Sequence, residues 1–297
     1  DGPWDFRMLS VNGRFCKRAR LPREGAFEHL TAFDVPWMST TGGGWKRKPT
    51  DQELTTMQYR PEDLGPWFDV KNAELTIYHM WDESLVGVAR MDTDTSTLTF
   101  STPAEHPPGA FGVKRYTVWN LREGMTEPGQ WYLDRTAGKV VYWPLPEEDM
   151  ASAVVIAPRT AVLLRIKGAD DNLARGITIR GLGLSVTNTP LKAGGFGALR
   201  FEGALTAAQA ADCVFADLEI FNAGGYGLKT WKLDTSRVER CHVHHCGAGG
   251  IAAEGVEGIV ADNRIHDVGL AYPSALGLRC GGANLQIIHN EIHDTPY

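Results

Sequence analysis

The 297-residue sequence lacks several patterns that would assign it quickly to a functional class. No apolar run approaches 18 residues, so we expect no segment that spans a membrane. GxGxxG after a predicted strand does not occur, nor does GxxxxGK followed by Ser or Thr, so the common phosphate-binding coenzyme motifs are missing. The formal net charge is −6, whereas nucleic-acid binding needs a basic surface, so we expect no nucleic-acid partner.

Cysteine and histidine patterns typical of metal sites are also missing. The five Cys residues form no CxxC pair and show no spacing typical of zinc ligands. His242 and His244 alternate on a predicted strand, and His266 and His293 could extend that set. No His-x-x-x-His pair or Cys partner accompanies them, so we expect no metal site.

What the sequence does contain is a repeat in its C-terminal third, roughly residues 213–297. Four segments can be superposed: DLEIFN (217–222), CHVHHC (241–246), NRIHDV (263–268) and NEIHDT (290–295). Their central apolar residues recur at intervals of 23, 22 and 27 residues. A period in the twenties with β-branched residues and Gly-rich breaks is typical of a solenoid, and Gly, Asn and His suit long helices poorly. The repeat predicts a right-handed parallel β-helix.

Superposing the repeats predicts which residues stack on neighbouring rungs. The three inward columns are Phe215, Val238, Val260, Ile287; Leu218, Cys241, Asn263, Asn290; and Ile220, Val243, Ile265, Ile292. An outward column that alternates in charge along most of its length is Asp217, Arg240, Asp262, His289. Two further columns are Phe221, His244, His266, His293 and Asn222, His245, Asp267, Asp294. Since adjacent rungs lie about 4.8 Å apart, Asp267 and Asp294 are expected to be stacked carboxylates about 5 Å apart.

The first half of the chain has a different pattern. From about residue 56 to 150 short predicted strands recur, among them the hairpin WYLDRTAGKVVYWP (131–144), and this spacing is typical of a β-sandwich. We therefore predict an all-β protein with a β-sandwich-like module at 1–150, including an N-terminal β segment, and a β-helix at 151–297. Solenoids need capped ends, and the sequence stops inside a rung at Tyr297, so we expect a fragment truncated at the C-terminal end of the solenoid.

The stacked carboxylates are the main candidates for chemistry. A pair about 5–5.5 Å apart is the spacing of retaining glycoside hydrolysis, and a wider pair implies inversion. Two like charges this close raise one pKa and create a proton donor. Asp267 and Asp294 are therefore the predicted catalytic residues. An Asp after a short strand also caps bends through its own backbone, so a purely structural role stays open.

Seven further side chains are candidates for contact with a sugar substrate. They are His245, His266, His293, Trp231, Tyr272, Arg279 and Glu254. A stacked imidazole ladder, a solvated turn residue at Glu254, and packing or surface roles for the others remain the alternatives.

Two other functions stay open. β-Elimination from a uronate needs a cationic neutraliser and a base, which Lys229, Lys232 and Arg279 could supply. We expect these three residues to share no rung column, so the sequence favours paired carboxylates and hydrolysis. Basic residues in a cleft, with calcium as a candidate cofactor, would instead indicate a polysaccharide lyase; otherwise we expect no cofactor. A flat surface would indicate a non-catalytic glycan-binding or adhesion solenoid.

The segments NRIHDVG, GANLQIIHNEIHDTPY and EPGQWYLDRTAGKVVYWP together resemble bacterial right-handed β-helix proteins of the glycoside hydrolase family 141 type. The resemblance covers roughly residues 5–297. It implies a β-sandwich module inserted near the start of the helix, and activity on a polysaccharide or oligosaccharide of plant or microbial origin, such as xylan or fucosylated pectin. It also implies a secreted or periplasmic location, and a pair of Asp residues on neighbouring rungs, which carries over to Asp267 and Asp294.

Overall fold

The computed structural model describes residues 4–39 and 43–297, and the fold is nearly all β. Within these ranges the single α-helix is α1 (Asp51–Thr55), and short 3-10 turns lie at Ala110–Gly112, Arg122–Gly124 and Phe196–Ala198. Thr50 begins α1 by accepting the Glu53 backbone N–H, while the Glu53 carboxylate accepts the Thr50 N–H. The helices of the described residues include none long and apolar enough to cross a membrane.

The strands are short and are given in chain order. The first group is β1 (Ser10–Val11), β2 (Arg14–Phe15), β3 (Lys17–Arg18), β4 (Arg20–Leu21), β5 (Phe27–Glu28), β6 (Thr56–Gln58), β7 (Glu74–Tyr78), β8 (Glu83–Asp92), β9 (Thr97–Phe100), β10 (Arg115–Trp119), β11 (Gln130–Asp134) and β12 (Lys139–Tyr142). The second group is β13 (Val155–Ile156), β14 (Leu164–Lys167), β15 (Ala174–Arg175), β16 (Thr178–Arg180), β17 (Gly183–Ser185), β18 (Gly203–Ala211), β19 (Val214–Ala216), β20 (Glu219–Phe221), β21 (Tyr226–Asp234), β22 (Arg237–Glu239), β23 (His242–His244), β24 (Ile251–Val256), β25 (Ile259–Ala261), β26 (Arg264–His266), β27 (Leu278–Ala283), β28 (Gln286–Ile288) and β29 (Glu291–Ile292).

The chain forms two compact units. The three-sheet unit comprises Asp1–Phe15, Val154–Pro190 and Phe196–Tyr297, and the antiparallel unit comprises Cys16–Ala153 and Leu191–Gly195. The division differs from the predicted 1–150 and 151–297 segments at the N-terminal end, because β1 pairs with β13 and so belongs to the three-sheet unit. Residues 1–3 and 40–42 of the predicted first module lie outside the described residues.

The antiparallel unit is built on one larger and one smaller sheet. The larger sheet has the order β4-β10-β7-β8-β9-β6, with β5 also paired to β10. The smaller sheet has the order β12-β11-β3, and its β11–β12 hairpin pairs Trp131 with Tyr142, so the predicted hairpin is present. Alternate residues of the strands face a core of buried aliphatic and aromatic side chains that includes Leu75, Ile77 and Tyr116.

Besides a small antiparallel sheet of order β13-β1-β2, the three-sheet unit has three parallel sheets, for which it is named. The chain passes through these three sheets in turn, and each pass is called a rung here. Sheet A has the order β14-β18-β21-β24-β27, sheet B the order β16-β19-β22-β25-β28, and sheet C the order β17-β20-β23-β26-β29. The bends on either side of sheet C repeat a left-handed backbone conformation, which Asp, Asn and His tolerate better than most residues. The bend residues with φ between 49° and 56° are Asp217, Asn222, Arg240, His245, Asp262, Asp267, His289 and Asp294.

The predicted columns of sheets B and C match the observed strand register. Val238 faces Phe215 and Val260 in sheet B, and Val243 faces Ile220 and Ile265 in sheet C. These six side chains are buried. The second inward column is also present in the hydrogen bonds, since Asn263 donates to the Asn290 side-chain oxygen at 2.9 Å and accepts the Cys241 backbone N–H at 2.9 Å. In the outward column, Arg240 and Asp217 form an ion pair at 2.8 Å.

Candidate functional site

The structure separates the predicted site residues into two groups. His245, His266, Asp267, His293 and Asp294 lie on sheet C and the bend that follows it. Trp231, Glu254 and Arg279 lie on sheet A. Tyr272 belongs to neither surface. The predicted residues therefore do not form one site, and each group is described separately.

On sheet C, four rings form one continuous stack. The ring centroids of Phe221, His244, His266 and His293 are separated by 5.4, 5.2 and 4.9 Å, and successive planes differ by only 6° to 7°. The stack arises because each ring holds the same position on its strand, one rung above the previous one. The ring faces therefore pack on one another, which leaves the ring edges for other partners.

Asp267 and Asp294 each accept a hydrogen bond from the Nδ1 of the preceding histidine, at 2.7 Å in both cases. For Asp267 this bond to His266 is the main cause that lowers the carboxyl pKa, so Asp267 stays ionised and suits a nucleophile rather than a proton donor. The two side chains are 41% and 70% exposed and stand at left-handed bend positions. The bend-capping role that the sequence left open is thus compatible with this geometry.

Two further imidazoles on sheet C, those of His242 and His244, have lowered pKa values. Burial lowers the pKa of His244 to about 4, with the neighbouring His242 as the next cause. Burial also lowers the pKa of His242, and the proximity of His266 adds to this effect. Desolvation disfavours the charged imidazolium, so both rings are neutral at neutral pH.

Tyr272 is fully buried, and the prediction that it contacts a sugar is corrected. Its ring lies 4.1 Å from that of Phe201, and its hydroxyl is 3.1 Å from Thr189 Oγ1. The loop after β26 turns inward because the Tyr272 backbone N–H donates to the Gly247 carbonyl. Tyr272 therefore supports the core of the three-sheet unit.

Sheet A carries a groove of about 560 Å³ on its outer surface. The polar and aromatic side chains that line it are Arg165, Lys167, Glu202, Thr206, Gln209, Lys229, Thr230, Trp231, Glu254 and Arg279. They extend over successive rungs, since the groove includes residues of β14, β18, β21, β24 and β27. A groove that runs across several strands and combines an indole with charged groups can accommodate an extended polar polymer.

The charges in the groove are mostly held by neighbours. Glu254 accepts from Arg279 at 3.2 Å, and Glu202 from Arg165 at 3.3 Å. Lys229 Nζ donates to two backbone carbonyls of the segment before β18. With Lys167, the groove has four cations against two carboxylates. The groove is thus a positive surface on a chain whose net charge is −6.

The expectation that Lys229, Lys232 and Arg279 share no column is corrected for two of them. Lys229 faces Ala252 in sheet A, and Ala252 faces Arg279. Lys232 lies elsewhere, over the Trp231 ring and in an ion pair with Asp170 at 2.7 Å. The long loop between β26 and β27 widens the spacing from 252 to 279, which hides the column in the sequence.

Several groove residues, including Arg165, Lys167 and Glu202, were missed by the sequence analysis. The repeat that revealed the rungs lies on sheets B and C, where inward β-branched residues recur. Outward positions on sheet A carry unrelated side chains on successive rungs, so no sequence motif repeats there. The available signal was the 23-residue spacing of Thr206, Lys229 and Ala252, which continues the period of the other sheets.

Comparison with known proteins gives one match in structure. No protein-family model matches the sequence, and no curated protein matches it. A solved structure described as a glycoside hydrolase matches with a TM-score of 0.74 and 19% sequence identity. The match covers 99% of this chain and 59% of that chain, so this chain spans well under two thirds of the other's length. At this identity the comparison shows a shared fold.

Proposed function

We propose that this chain is a carbohydrate-active enzyme that binds polysaccharide in the sheet A groove and hydrolyses its glycosidic bonds. The groove is the observation that carries the proposal. Trp231 exposes 45% of its surface there, and an indole offers a flat apolar face to a sugar ring while charged neighbours hold the hydroxyls. The solved glycoside hydrolase of similar fold supports this choice of enzyme class.

The proposal includes a finer account of the fold. The three parallel sheets, visited in turn by the chain, are proposed to form a right-handed parallel β-helix, and the antiparallel unit to be its β-sandwich-like module. The family 141 resemblance supports a secreted or periplasmic protein that acts on plant or microbial polysaccharide. The excess of cations in the groove favours a polymer that carries carboxylates, such as a uronate-containing glycan.

Within the groove, Glu254 is the proposed acid or base, because it stands beside Trp231 in the lining and is oriented by Arg279. Glu202 is two rungs away, roughly 10 Å along the stack. It is also offset along the strands, because it precedes Leu205 by three residues while Glu254 follows Ile251, in the same column, by three. Each carboxylate is paired with a different arginine, Glu202 with Arg165 of β14 and Glu254 with Arg279 of β27. A retaining pair, which needs about 5–5.5 Å, is not favoured there.

Sheet C offers a second candidate centre for the same reaction. Asp267 and Asp294 follow Ile265 and Ile292, which face each other in register, so the two carboxylates occupy adjacent rungs about 4.8 Å apart along the stack. That spacing suits retaining hydrolysis. The observation in its favour is the register of Ile265 with Ile292, and the lowered pKa of Asp267 suits a nucleophile.

Elimination is less well supported than hydrolysis. A lyase needs an unprotonated base near the uronate, but the ammonium of Lys229 is fixed by two carbonyls and Arg279 is paired with Glu254. Hydrogen bonds from a cation to carbonyls favour its charged form, which cannot accept a proton. Both groups serve better as fixed positive charges than as bases.

The test is an activity assay of the chain on polygalacturonate, glucuronoxylan and unsubstituted xylan. Reducing ends report cleavage of either kind, and ultraviolet absorbance of unsaturated uronates reports elimination, so hydrolysis gives reducing ends without absorbance. Glu254→Gln, Asp267→Asn and Asp294→Asn are compared with Asp262→Asn, a bend variant outside both groups. Loss of reducing ends in Glu254→Gln alone supports the groove, and loss in both Asp variants supports sheet C.

Three results contradict parts of the proposal. Absorbance that rises in step with the reducing ends replaces hydrolysis with elimination, because each elimination gives one unsaturated uronate and one new reducing end. Binding without any cleavage, when it is lost in Trp231→Ala, replaces the enzyme with a glycan-binding module. Binding to none of the polymers removes the proposal altogether.

A further inference from the structure

A separate feature of sheet C is a cluster of three ligand-type side chains on its outer face. Glu219 of β20 faces His242 of β23, and Phe221 faces His244 in the next outward position. Val243, between the two histidines, points inward and is fully buried. Glu219 and His242 are neighbours on adjacent rungs, and His242 and His244 point outward from the same strand. A carboxylate and two imidazoles are thus brought together.

The three side chains are close enough to share an ion. One ligand atom from each lies within 4.8 Å of the others. His244 Nε2 is 3.5 Å from Glu219 Oε1, and the rings of His242 and His244 have centroids 4.3 Å apart. In a tetrahedral zinc site with bonds of about 2.0–2.2 Å, ligand atoms are about 3.3–3.6 Å apart. The separation of 3.5 Å between His244 Nε2 and Glu219 Oε1 already lies in that range.

The hydrogen bonds of His244 leave one ring nitrogen for a metal. Its Nδ1 lies 2.8 Å from Nδ1 of His245. Its Nε2 is buried and makes no regular hydrogen bond in the described part of the chain, with Glu219 Oε1 at 3.5 Å as the facing acceptor. Buried polar nitrogens are nearly always satisfied, so an unpartnered one directed at a carboxylate needs an explanation. A bound cation between the two groups would satisfy both.

His242 is held by two successive hydrogen bonds, which run through His266 to Asp267. Its Nε2 lies 2.7 Å from Nε2 of His266, and Nδ1 of His266 lies 2.7 Å from the Asp267 carboxylate. In the neutral tautomer of His266 that donates Nδ1–H to the carboxylate, its Nε2 accepts from His242, and Nδ1 of His242 then carries the free lone pair. Metal-binding histidines commonly have their other nitrogen engaged by such partners.

We propose that Glu219, His242 and His244 form a binding site for one divalent transition-metal ion of the zinc class. Two imidazoles and one carboxylate are a zinc-type donor set, whereas calcium prefers an all-oxygen shell. Glu219 is 56% exposed, so an ion reaches the site from solvent. Three protein ligands leave a coordination position for water.

One cation lies near the site. Arg264 faces His242 on the following rung, and its guanidinium is 3.6 Å from the Glu291 carboxylate. Glu291 offsets part of that charge, and the Glu219 carboxylate supplies the negative charge at the metal position itself.

The test is a titration of the metal-free chain with Zn²⁺ alone, followed by calorimetry. The expected result is one ion per chain, with affinity weakened at least about 100-fold in Glu219→Gln and in His244→Asn, since each removes a ligand. Glu219→Gln changes an exposed side chain and keeps its shape, which makes a folding failure avoidable. His289→Asn, at an exposed histidine outside the cluster, is the matched control and keeps full affinity.

Co²⁺ in place of Zn²⁺ gives a second measurement that does not depend on heat. Visible absorption bands of a four- or five-coordinate ion are expected in the unmodified chain and in His289→Asn, and are lost in His244→Asn. Binding that is absent in the unmodified chain overturns the proposal. So does binding that survives both ligand substitutions, or that is lost with His293→Asn instead, since the ion then lies at the other end of the ring stack. The outcome is independent of glycan cleavage.

Discussion

Lys229 and Arg279 occupy one column of sheet A, two rungs apart, with the small side chain of Ala252 between them. Two rungs correspond to roughly 10 Å. The Lys229 ammonium is fixed by backbone carbonyls, and Arg279 is fixed by Glu254, so neither charge needs to be ordered when a ligand arrives. A polymer in the groove therefore crosses a preorganised band of positive charge.

Replacement of Trp231 by Ala is expected to weaken polysaccharide binding by about 1–2 kcal/mol, roughly 5- to 30-fold, because an exposed aromatic anchor is removed from the groove. Affinity electrophoresis or calorimetry with polygalacturonate measures the effect. Trp67→Ala, at an exposed Trp of the antiparallel unit, is the control and retains full affinity. Equal loss in both variants would assign binding to some other surface.

Replacement of Asn263 by Ala is expected to lower the free energy of unfolding by about 3 kcal/mol, because it leaves buried hydrogen-bonding groups unpaired. Asn263 donates to the Val238 carbonyl at 3.0 Å and accepts the Cys241 N–H at 2.9 Å. Urea denaturation provides the measurement. Asn290→Ala removes a less buried member of the same ladder and should cost about half as much. An effect of Asn263→Ala below that of Asn290→Ala would contradict the ladder's importance.

A Cβ atom at Gly249 has no room, since it would lie 2.1 Å from a ring carbon of Tyr226 and 2.4 Å from the Leu276 carbonyl oxygen. Gly249→Ala is therefore expected to destabilise the three-sheet unit by about 3 kcal/mol or more. Gly183→Ala is the matched comparison, because its Cβ meets no atom within 4 Å. Thermal unfolding should separate the two variants clearly, with Gly183→Ala close to the unmodified chain.

The antiparallel unit is expected to lose stability as the pH falls from about 6.5 towards 4. Burial, followed by the charge of Lys114, lowers the pKa of His29 from 6.5 to about 4, and burial lowers that of His79 to about 3. Below pH 6.5 these two histidines bind protons in the unfolded chain but not in the folded chain. The free energy of unfolding therefore has its full value above pH 6.5 and falls as the pH drops below 6.5. For His29 alone the loss approaches about 3 kcal/mol.

Urea denaturation at several pH values, monitored by near-ultraviolet circular dichroism, measures this dependence. His29→Leu is expected to flatten the curve between pH 6.5 and 4, whereas His289→Leu, at an exposed ring, should leave it unchanged. If the free energy of unfolding has the same slope against pH in His29→Leu and in the unmodified chain, His29 binds its proton equally well in the folded and unfolded chains, and the prediction is wrong.

The columns of sheets B and C were predictable because most of their inward positions are apolar and recur on successive rungs. Ile220, Val243 and Ile265 fill one continuous core, so the same residue types recur at the same spacing. The Asn263–Asn290 contact followed from the same register. Because successive rungs share one core, the sequence repeats apolar residues at the spacing of the rungs.

The groove and the burial of Tyr272 could not be predicted in the same way. Outward side chains of sheet A face solvent and are free to vary, so Lys229 and Arg279 share no visible motif. Tyr272 is buried by Phe201, a contact that depends on how a long loop returns to the unit. Contacts made by loops of unequal length are not encoded in the period of the repeat.

The cysteines of the three-sheet unit give it a built-in set of chemical reporters. All five thiols of the chain are free, and burial raises the pKa of Cys241 to about 11 and that of Cys246 to about 12. Cys280 lies half-buried in β27, while Cys213 is buried on an earlier rung. The buried sulfurs react only when the surrounding structure opens. The rate at which a thiol reagent modifies each one would therefore measure how often the rung that contains it opens locally.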